Sequence, residues 1–451
     1  MATPRQRLGP LAAGDAPGTS VVACLTDLAD LERCGADAFD GVACLEVRAD
    51  LVGDVATQQL RSHFDGPLLY TLRSRAEGGR FVGGQEDRHR RLLQAGSAYE
   101  LVDLEGERDL EPALLDRIPA ERRIVSWHGE VADVPELAER FERFSTAAAA
   151  RLYKLVTGSG SLAAAMVPLG LLQELGRSDV LAFAQGEAGT FTRLLAPCLG
   201  ADVVYASFGA IPAAGGQLSI ERLATDYGIP SAQDIDRVFG IVGHPVAHSL
   251  SPRLHNGGYR SSGLAARYVP FDADHFSDFW LDVVETELFE SVLPLAGLSV
   301  TTPYKRAALA VAGASSPLAQ RIESANTMVH SGLVWEADTT DGEGVLGALR
   351  VRGVAIPGQR AAVVGCGAAG RAAAASLQGA GAELVVVNRS EEPGLRLAER
   401  LRVPFVSLED FDPSRFGILV NATSLGSRPE DPPAFALRGL GEEAIVVDLV
   451  Y

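Results

Sequence analysis

At 451 residues the chain is too long for one ordinary core, and 47% hydrophobic against 22% charged residues fits folded globular domains, two or three in number. A formal charge of −18 argues against nucleic acid or an anionic membrane surface as a partner, and no apolar run reaches the roughly 20 residues of a membrane-spanning helix. Five cysteines without CxxC spacing exclude a disulfide framework and a zinc site, which points to a reducing cytoplasm.

Residues 1–19 lack the apolar centre of a signal peptide and read as a disordered tail; a plastid transit peptide is the weaker reading. From 20 to 230, β-rich runs recur at 21–25, 41–47, 67–72, 99–104, 123–128, 151–156, 180–185 and 203–208. Helix-forming segments such as ELAERFERFSTAAAA (136–150) separate them, so the alternation predicts a (β/α)8 barrel, with a doubly wound sheet as the alternative. Polar residues fall at the strand ends, where a barrel builds its chemistry: Glu46, Arg48, Arg73 and His128, with Lys154 within the sixth strand and Arg193 after the seventh.

Only Lys154 and Lys305 are lysines, against 38 arginines. Arginine replaces lysine as a surface charge but not as an amine nucleophile or proton shuttle. A lysine buried among arginines should have a depressed pKa, and its neutral amine can condense with a ketone. A nearby histidine then removes an α-proton and later protonates a departing hydroxyl, while arginines hold a carboxylate. EVRAD (46–50), TLRSRAEGGRF (71–81), SWH (126–128), Lys154 and GGQ (215–217) resemble the type I 3-dehydroquinate dehydratases over residues 20 to about 225. The resemblance implies Lys154 as Schiff-base former, His128 as general acid/base and Glu77 as its orienting partner. It further implies Glu46, Arg48 and Arg73 on substrate hydroxyls, Arg193 on the carboxylate, and Gln217 in a loop closing over the site. Ala213 stands where the family has Ser, and Gly129 where Asp or Asn is common.

The stretch 220–240 reads as the last barrel helix and a linker, after which a strand leads into a turn, FGIVGHPVAHSLSPRLHN (239–256). GLSVTTPYK (297–305) places Lys305 after a β-like run, and ADTTDGEGV (337–345) offers Asp341; such a pair can protonate a carbonyl oxygen as hydride arrives. AAVVGCGAAG (361–370) is an apolar strand followed by Gly365-x-Gly367-x-x-Gly370 and a helix, a dinucleotide fingerprint. At the next strand end Asn388-Arg389-Ser390 favours the 2′-phosphate of NADP, and Glu391 and Glu392 oppose it.

With NATSLG (421–426) and VVDLVY (446–451), these motifs resemble the shikimate dehydrogenases from residue 238 onward. That implies a substrate-binding domain over 238–344 and a Rossmann NADP-binding domain over 345–451. It makes Lys305 and Asp341 catalytic, puts Ser249, Ser251, Thr301, Asn326 and Tyr451 on substrate, and assigns the cofactor to Gly365, Gly367, Ala368, Ala369, Gly370, Asn388, Arg389, Ser390 and Asn421. Ser299 replaces the usual Asn, and the family's C-terminal helices, one bearing a substrate glutamine, are missing after Tyr451, so the chain is expected to be truncated, with the reductase weakened more than the dehydratase. The whole is expected to be a bifunctional enzyme taking 3-dehydroquinate through 3-dehydroshikimate to shikimate with NADPH, binding small acids and neither nucleic acid nor membrane. A non-catalytic sensor of quinate-like acids and a quinate-preferring dehydrogenase half are the alternatives.

Overall fold

The computed structural model describes residues 18–209, 211–231 and 235–450, so Tyr451 and residues 1–17 of the expected tail lie outside the described residues. The chain forms two compact units, residues 1–296 and 297–451. Among the described residues, no helix is long and apolar enough to cross a membrane.

The first unit opens with eight parallel strands: β1 (Ser20–Leu25), β2 (Val42–Arg48), β3 (Leu68–Thr71), β4 (Leu101–Glu105), β5 (Arg123–Gly129), β6 (Leu152–Thr157), β7 (Val180–Ala184) and β8 (Val203–Phe208). Their order, β7-β6-β5-β4-β3-β2-β1-β8, makes a near-barrel with its seam between β7 and β8. β1, β4, β6 and β8 are buried along their whole length, because one face meets the lumen and the other is covered by helices. In β6, Tyr153 packs outward on Phe141 of the helix Val134–Ala147, with ring centroids 5.4 Å apart. The two-residue strand period therefore turns Lys154 and Val156 into the lumen. Register places Ser126 level with Lys154, and Cys24 level with Glu46.

After the barrel's last helix, Ile220–Tyr227, the same unit continues with β9 (Arg237–Gly243), the helix Ser251–Ser262 and β10 (Ala266–Asp272), parallel to β9. Asn256 fastens that helix to β10, donating to the Tyr268 carbonyl at 2.9 Å and accepting from its N–H at 2.8 Å. β11 (Leu295–Val300) carries the chain from the first unit into the second.

In the second unit β11 pairs antiparallel with β13 (Thr327–His330), which pairs antiparallel with β14 (Trp335–Asp338); the short β12 (Ala314–Ser315) lies parallel to β14. A five-stranded parallel sheet follows, ordered β17 (Phe405–Ser407), β16 (Glu383–Asn388), β15 (Arg360–Val364), β18 (Ile418–Asn421) and β19 (Ile445–Asp448). The helix Ala368–Gly379 buries Ala372, Ala373, Ala374 and Ala375, and side chains that small let it lie close on the sheet. This is the predicted α/β class: a barrel, then a dehydrogenase-like segment ending in a Rossmann-type sheet.

Candidate active sites

Lys154 is 4% exposed, with its ammonium 3.8 Å from Glu46 Oε1, 3.8 Å from Asp103 Oδ2 and 4.2 Å from the centre of the Tyr205 ring. Its nearest charges are thus carboxylates, interleaved with the arginines expected from sequence. Arg73 is the hub of that lattice. Its Nη1 donates to Glu77 Oε2 at 2.9 Å and Ser126 Oγ at 2.8 Å, and its Nη2 donates to both oxygens of Asp103 at 3.0 Å. Arg48 is tied to Asp50 by two bonds of 2.9 Å, while Glu46 accepts from Thr71 Oγ1 at 2.8 Å.

His128 Nδ1 lies 3.1 Å from Glu77 Oε2. Burial first, then Arg73, Lys154, Arg48 and Arg193, hold the imidazole well below its ordinary pKa, so at neutral pH it is uncharged and can accept a proton. Burial pushes Glu77 up to about 8; Arg73 opposes this, and Glu105 and Asp103 add to it. Oε2 takes the bonds from both Arg73 and His128, whereas the buried Oε1 has no hydrogen-bond partner.

Arg193 is 5% exposed and lies 4.1 Å over the Phe183 ring; its Nε is buried without a hydrogen-bond partner, and burial pulls the guanidinium down to about 10. Gln217 Oε1 accepts from Ala213 N at 2.8 Å, and its Nε2 reaches Cys24 Sγ at 3.1 Å. Lys154, His128, Arg193, Glu46 and Gln217 line one small cavity of about 50 Å³. Asp103, Glu105 and Ser126 escaped the sequence reading. Asp103 and Glu105 sit two apart on β4, hence on one face, and polar residues at that spacing within a buried strand were the available signal.

In the second unit, Lys305 Nζ donates to Asp341 Oδ2 at 2.5 Å, and Asn326 Nδ2 donates to Asp341 Oδ1 at 2.6 Å. Asn326 Oδ1 in turn accepts from Thr340 N at 2.8 Å, and the Lys305 carbonyl accepts from Ala325 N at 2.8 Å. Lys305, Asn326 and Asp341 are therefore one constellation, open enough that the lysine and aspartate side chains are 15% and 22% exposed. Thr301 is half-buried in the loop just before Lys305, its carbonyl accepting from Tyr304 N at 2.9 Å. Ser249 and Ser251 belong to the first unit, where Ser251 N donates to Ser249 Oγ at 3.2 Å.

The glycine loop has the shape the fingerprint predicts. Gly365 adopts φ +106°, and a Cβ there would meet the Ala422 carbonyl oxygen at 2.7 Å. A Cβ on Gly370 would fall 1.9 Å from the Gly365 oxygen, so only glycine lets the helix begin against the strand. A Cβ added at Gly367 would meet nothing within 4 Å, so that side of the loop, with Ala368 and Ala369 at the helix start, is open to a ligand's approach. Asn388 Oδ1 accepts from Cys366 N at 3.3 Å, its Nδ2 donates to the Ser390 carbonyl at 2.8 Å, and Arg389 is exposed. Asn421 stands at the end of β18, in the loop beside Gly365. It is 3% exposed, and bonds to Leu425, Asp448 and Thr423 use both ends of its amide to shape its own loop.

Residues 17–234 match the family model for type I 3-dehydroquinase, and residues 241–328 the model for the shikimate dehydrogenase substrate binding domain. A Thermus thermophilus shikimate dehydrogenase (NADP(+)) is 41% identical over 215 residues, 47% of this chain and 78% of that protein. The chloroplastic bifunctional 3-dehydroquinate dehydratase/shikimate dehydrogenase of Arabidopsis thaliana is 29% identical over 422 residues, 85% of this chain and 67% of its relative. The solved structure of a Thermus thermophilus shikimate 5-dehydrogenase in complex with NADP(H) and shikimate aligns with 37% identity and a TM-score of 0.43, over 48% of this chain and 79% of the other.

Proposed function

The chain belongs to the shikimate dehydrogenase family and carries a type I 3-dehydroquinase domain ahead of it, and from that premise we propose that it dehydrates 3-dehydroquinate at Lys154 and reduces the resulting 3-dehydroshikimate to shikimate at Lys305. One observation carries the first step: the buried Lys154 side chain and an imidazole held by Glu77 open into the same cavity.

The Lys154 amine adds to the substrate ketone and expels water, leaving an iminium that draws electrons from the neighbouring carbon. His128, its Nδ1–H given to Glu77, takes the α-proton on Nε2 and returns it to the departing hydroxyl, so the step releases one more water. Hydrolysis of the imine frees product and restores the amine. Arg193, with its unpaired Nε, is the partner for the carboxylate, and Glu46 and Arg48 face the hydroxyls. Arg73 lines the cavity too, but with its terminal nitrogens committed it works chiefly by holding Glu77 and Asp103. Gln217 closes the cavity from the loop side.

In the other half, the Gly365–Gly370 loop fits a pyrophosphate, because its backbone is bare where the ligand must approach. NADPH, when bound there, supplies the hydride. Exposed Arg389, with Ser390 beside it, suits a 2′-phosphate; Asn388 shapes that turn, and Glu391 and Glu392 temper the attraction. Lys305 delivers a proton to the carbonyl oxygen, and Asp341 and Asn326 hold its ammonium in line. Ser249, Ser251, Thr301, Asn326 and Tyr451 are the residues assigned to the acid itself. Five cysteines, all thiols, suit a reducing cytoplasm. A sensor that binds such acids without turnover has no use for Lys154, His128, Lys305 and Asp341 in these arrangements.

Borohydride reduction in the presence of 3-dehydroquinate tests the reading. A covalent adduct is expected on Lys154 and none in Lys154→Ala; bound substrate without an adduct, or an adduct elsewhere, would reject the dehydratase assignment.

A further inference from the structure

The turn that bears Ser249 and Ser251 is anchored by buried Val246, whose N–H donates to Asp272 Oδ2 at 3.2 Å, but it also borders open space. Across from Val246, Ala247 and His248 lies a cavity of about 230 Å³, whose far wall is Gly216, Gln217 and Leu218 of the barrel. Loose packing of this kind leaves a segment's position to whatever directional bonds it makes. Two such bonds come from the last barrel helix, Ile220–Tyr227. Arg222 Nη2 donates to the Ala247 carbonyl at 3.3 Å, and Arg253 Nε donates to Asp226 Oδ1 at 2.7 Å. Asp226 joins them, since its Oδ2 accepts from Arg222 Nε at 3.1 Å. The segment is thus gripped at residue 247, just before the serines, and at 253, just after them, through one carboxylate that is 5% exposed.

The rest of the seam is built to hold still. Arg267, 4% exposed, donates to the Leu194 carbonyl at 2.8 Å, and Phe191 of the barrel packs on Phe271 of β10 with centroids 5.1 Å apart. Arg260 donates to the Thr225 carbonyl at 3.1 Å. Burial pushes the Asp226 carboxyl upward, but the bonds from Arg253, Arg222 and Thr225 outweigh it and keep the group below the usual carboxylate range, so at neutral pH it is charged and faces two cations.

We propose that Asp226, a residue of the dehydratase half, is a positioning residue for the dehydrogenase: through Arg222 and Arg253 it fixes the Ser249–Ser251 turn that receives the acid. The inference rests on the functional reading above for its kinetic consequence, but not for its structural one. A carboxylate that bridges two cations transmits position well because charge-assisted bonds are short and directional. The first catalytic domain would then serve the second as scaffold, apart from any traffic of substrate between them.

The full chain carrying Asp226→Asn tests this. The KM for 3-dehydroshikimate is expected to rise about three- to tenfold, with the reductase kcat and the dehydratase kcat/KM each within about twofold of the parent. Amide exchange of residues 246–254 should quicken while the barrel strands keep their protection. Arg253→Gln, at a side chain 53% exposed, should reproduce both effects, and the double variant should add little to either single one. An unchanged KM with unchanged exchange, or equal losses in both activities, would overturn the proposal. If the parent fails to reduce 3-dehydroshikimate, the functional reading falls, and the exchange comparison alone still decides whether Asp226 holds the turn.

Discussion

The two lysines of this chain stand in opposite surroundings. Lys154 lies inside the barrel, and the groups around it come from β2, β4 and β8, far apart in sequence. Lys305 sits near the surface, in a knot of bonds drawn from three short segments around residues 305, 326 and 341. The first arrangement removes water and lets fields act at full strength, which is how a fold shifts proton affinities, as it does for His128 and Glu77. The second leaves solvent within reach and relies on aim: two bonds of 2.5 and 2.6 Å on one carboxylate fix where the ammonium points. Covalent chemistry is suited to the first kind of site, and proton delivery to the second.

Replacing each lysine by alanine makes the contrast measurable. Lys154→Ala should lower dehydratase turnover by a factor on the order of 10⁴ or more and leave NADPH-dependent reduction untouched, measured as two separate steady-state assays on one preparation. Lys305→Ala should lower the reductase kcat by about 10²–10⁴ while the NADPH Kd stays within about twofold, read by fluorescence titration. A parallel loss of both activities from either variant would erase the distinction.

Glu77→Gln sharpens the buried side of the comparison. Dehydratase kcat should fall about 10- to 100-fold, since the amide holds His128 less well. Thermal stability should carry a pH signature as well. A carboxyl whose folded pKa is raised to about 8 binds its proton more tightly folded than unfolded, so its contribution to stability is fully present below its ordinary value of 4.5 and lost as pH rises toward 8. The Tm of Glu77→Gln relative to the parent should therefore climb between those limits; a constant difference would show that Glu77 is ionised throughout. Gly370→Ala is the mildest change and probes the open side: with a Cβ driven toward the Gly365 oxygen, NADPH affinity should drop about tenfold and the dehydratase rate should not move.

How much was legible follows the same division. All eight barrel strands declared themselves, because a strand covered on both faces must be continuously apolar and the barrel's polar residues interrupt those runs at their ends. The reductase constellation was readable from short motifs, since each of its residues lies in a compact, locally ordered turn. Of Arg73's three carboxyl neighbours only one was readable: Glu77 is four residues away and was found, but Asp103 and Glu105 arrive from β4 and only closure of the sheet brings them near. Asn421 was placed by its motif, but the bonds by which its buried amide shapes its own loop were not readable from that motif. The seam around Asp226 was invisible for a third reason, since nothing in a polar helix face announces which later turn will lean on it.

One guanidinium answering three carboxylates has a historical corollary. Arg73 cannot be exchanged alone, nor can Asp103, without stranding a charge in the dark interior, so substitutions there must arrive in concert or not at all. The exposed arginine pairs on this chain, such as Arg350 with Glu343, carry no such obligation and are free to drift one member at a time.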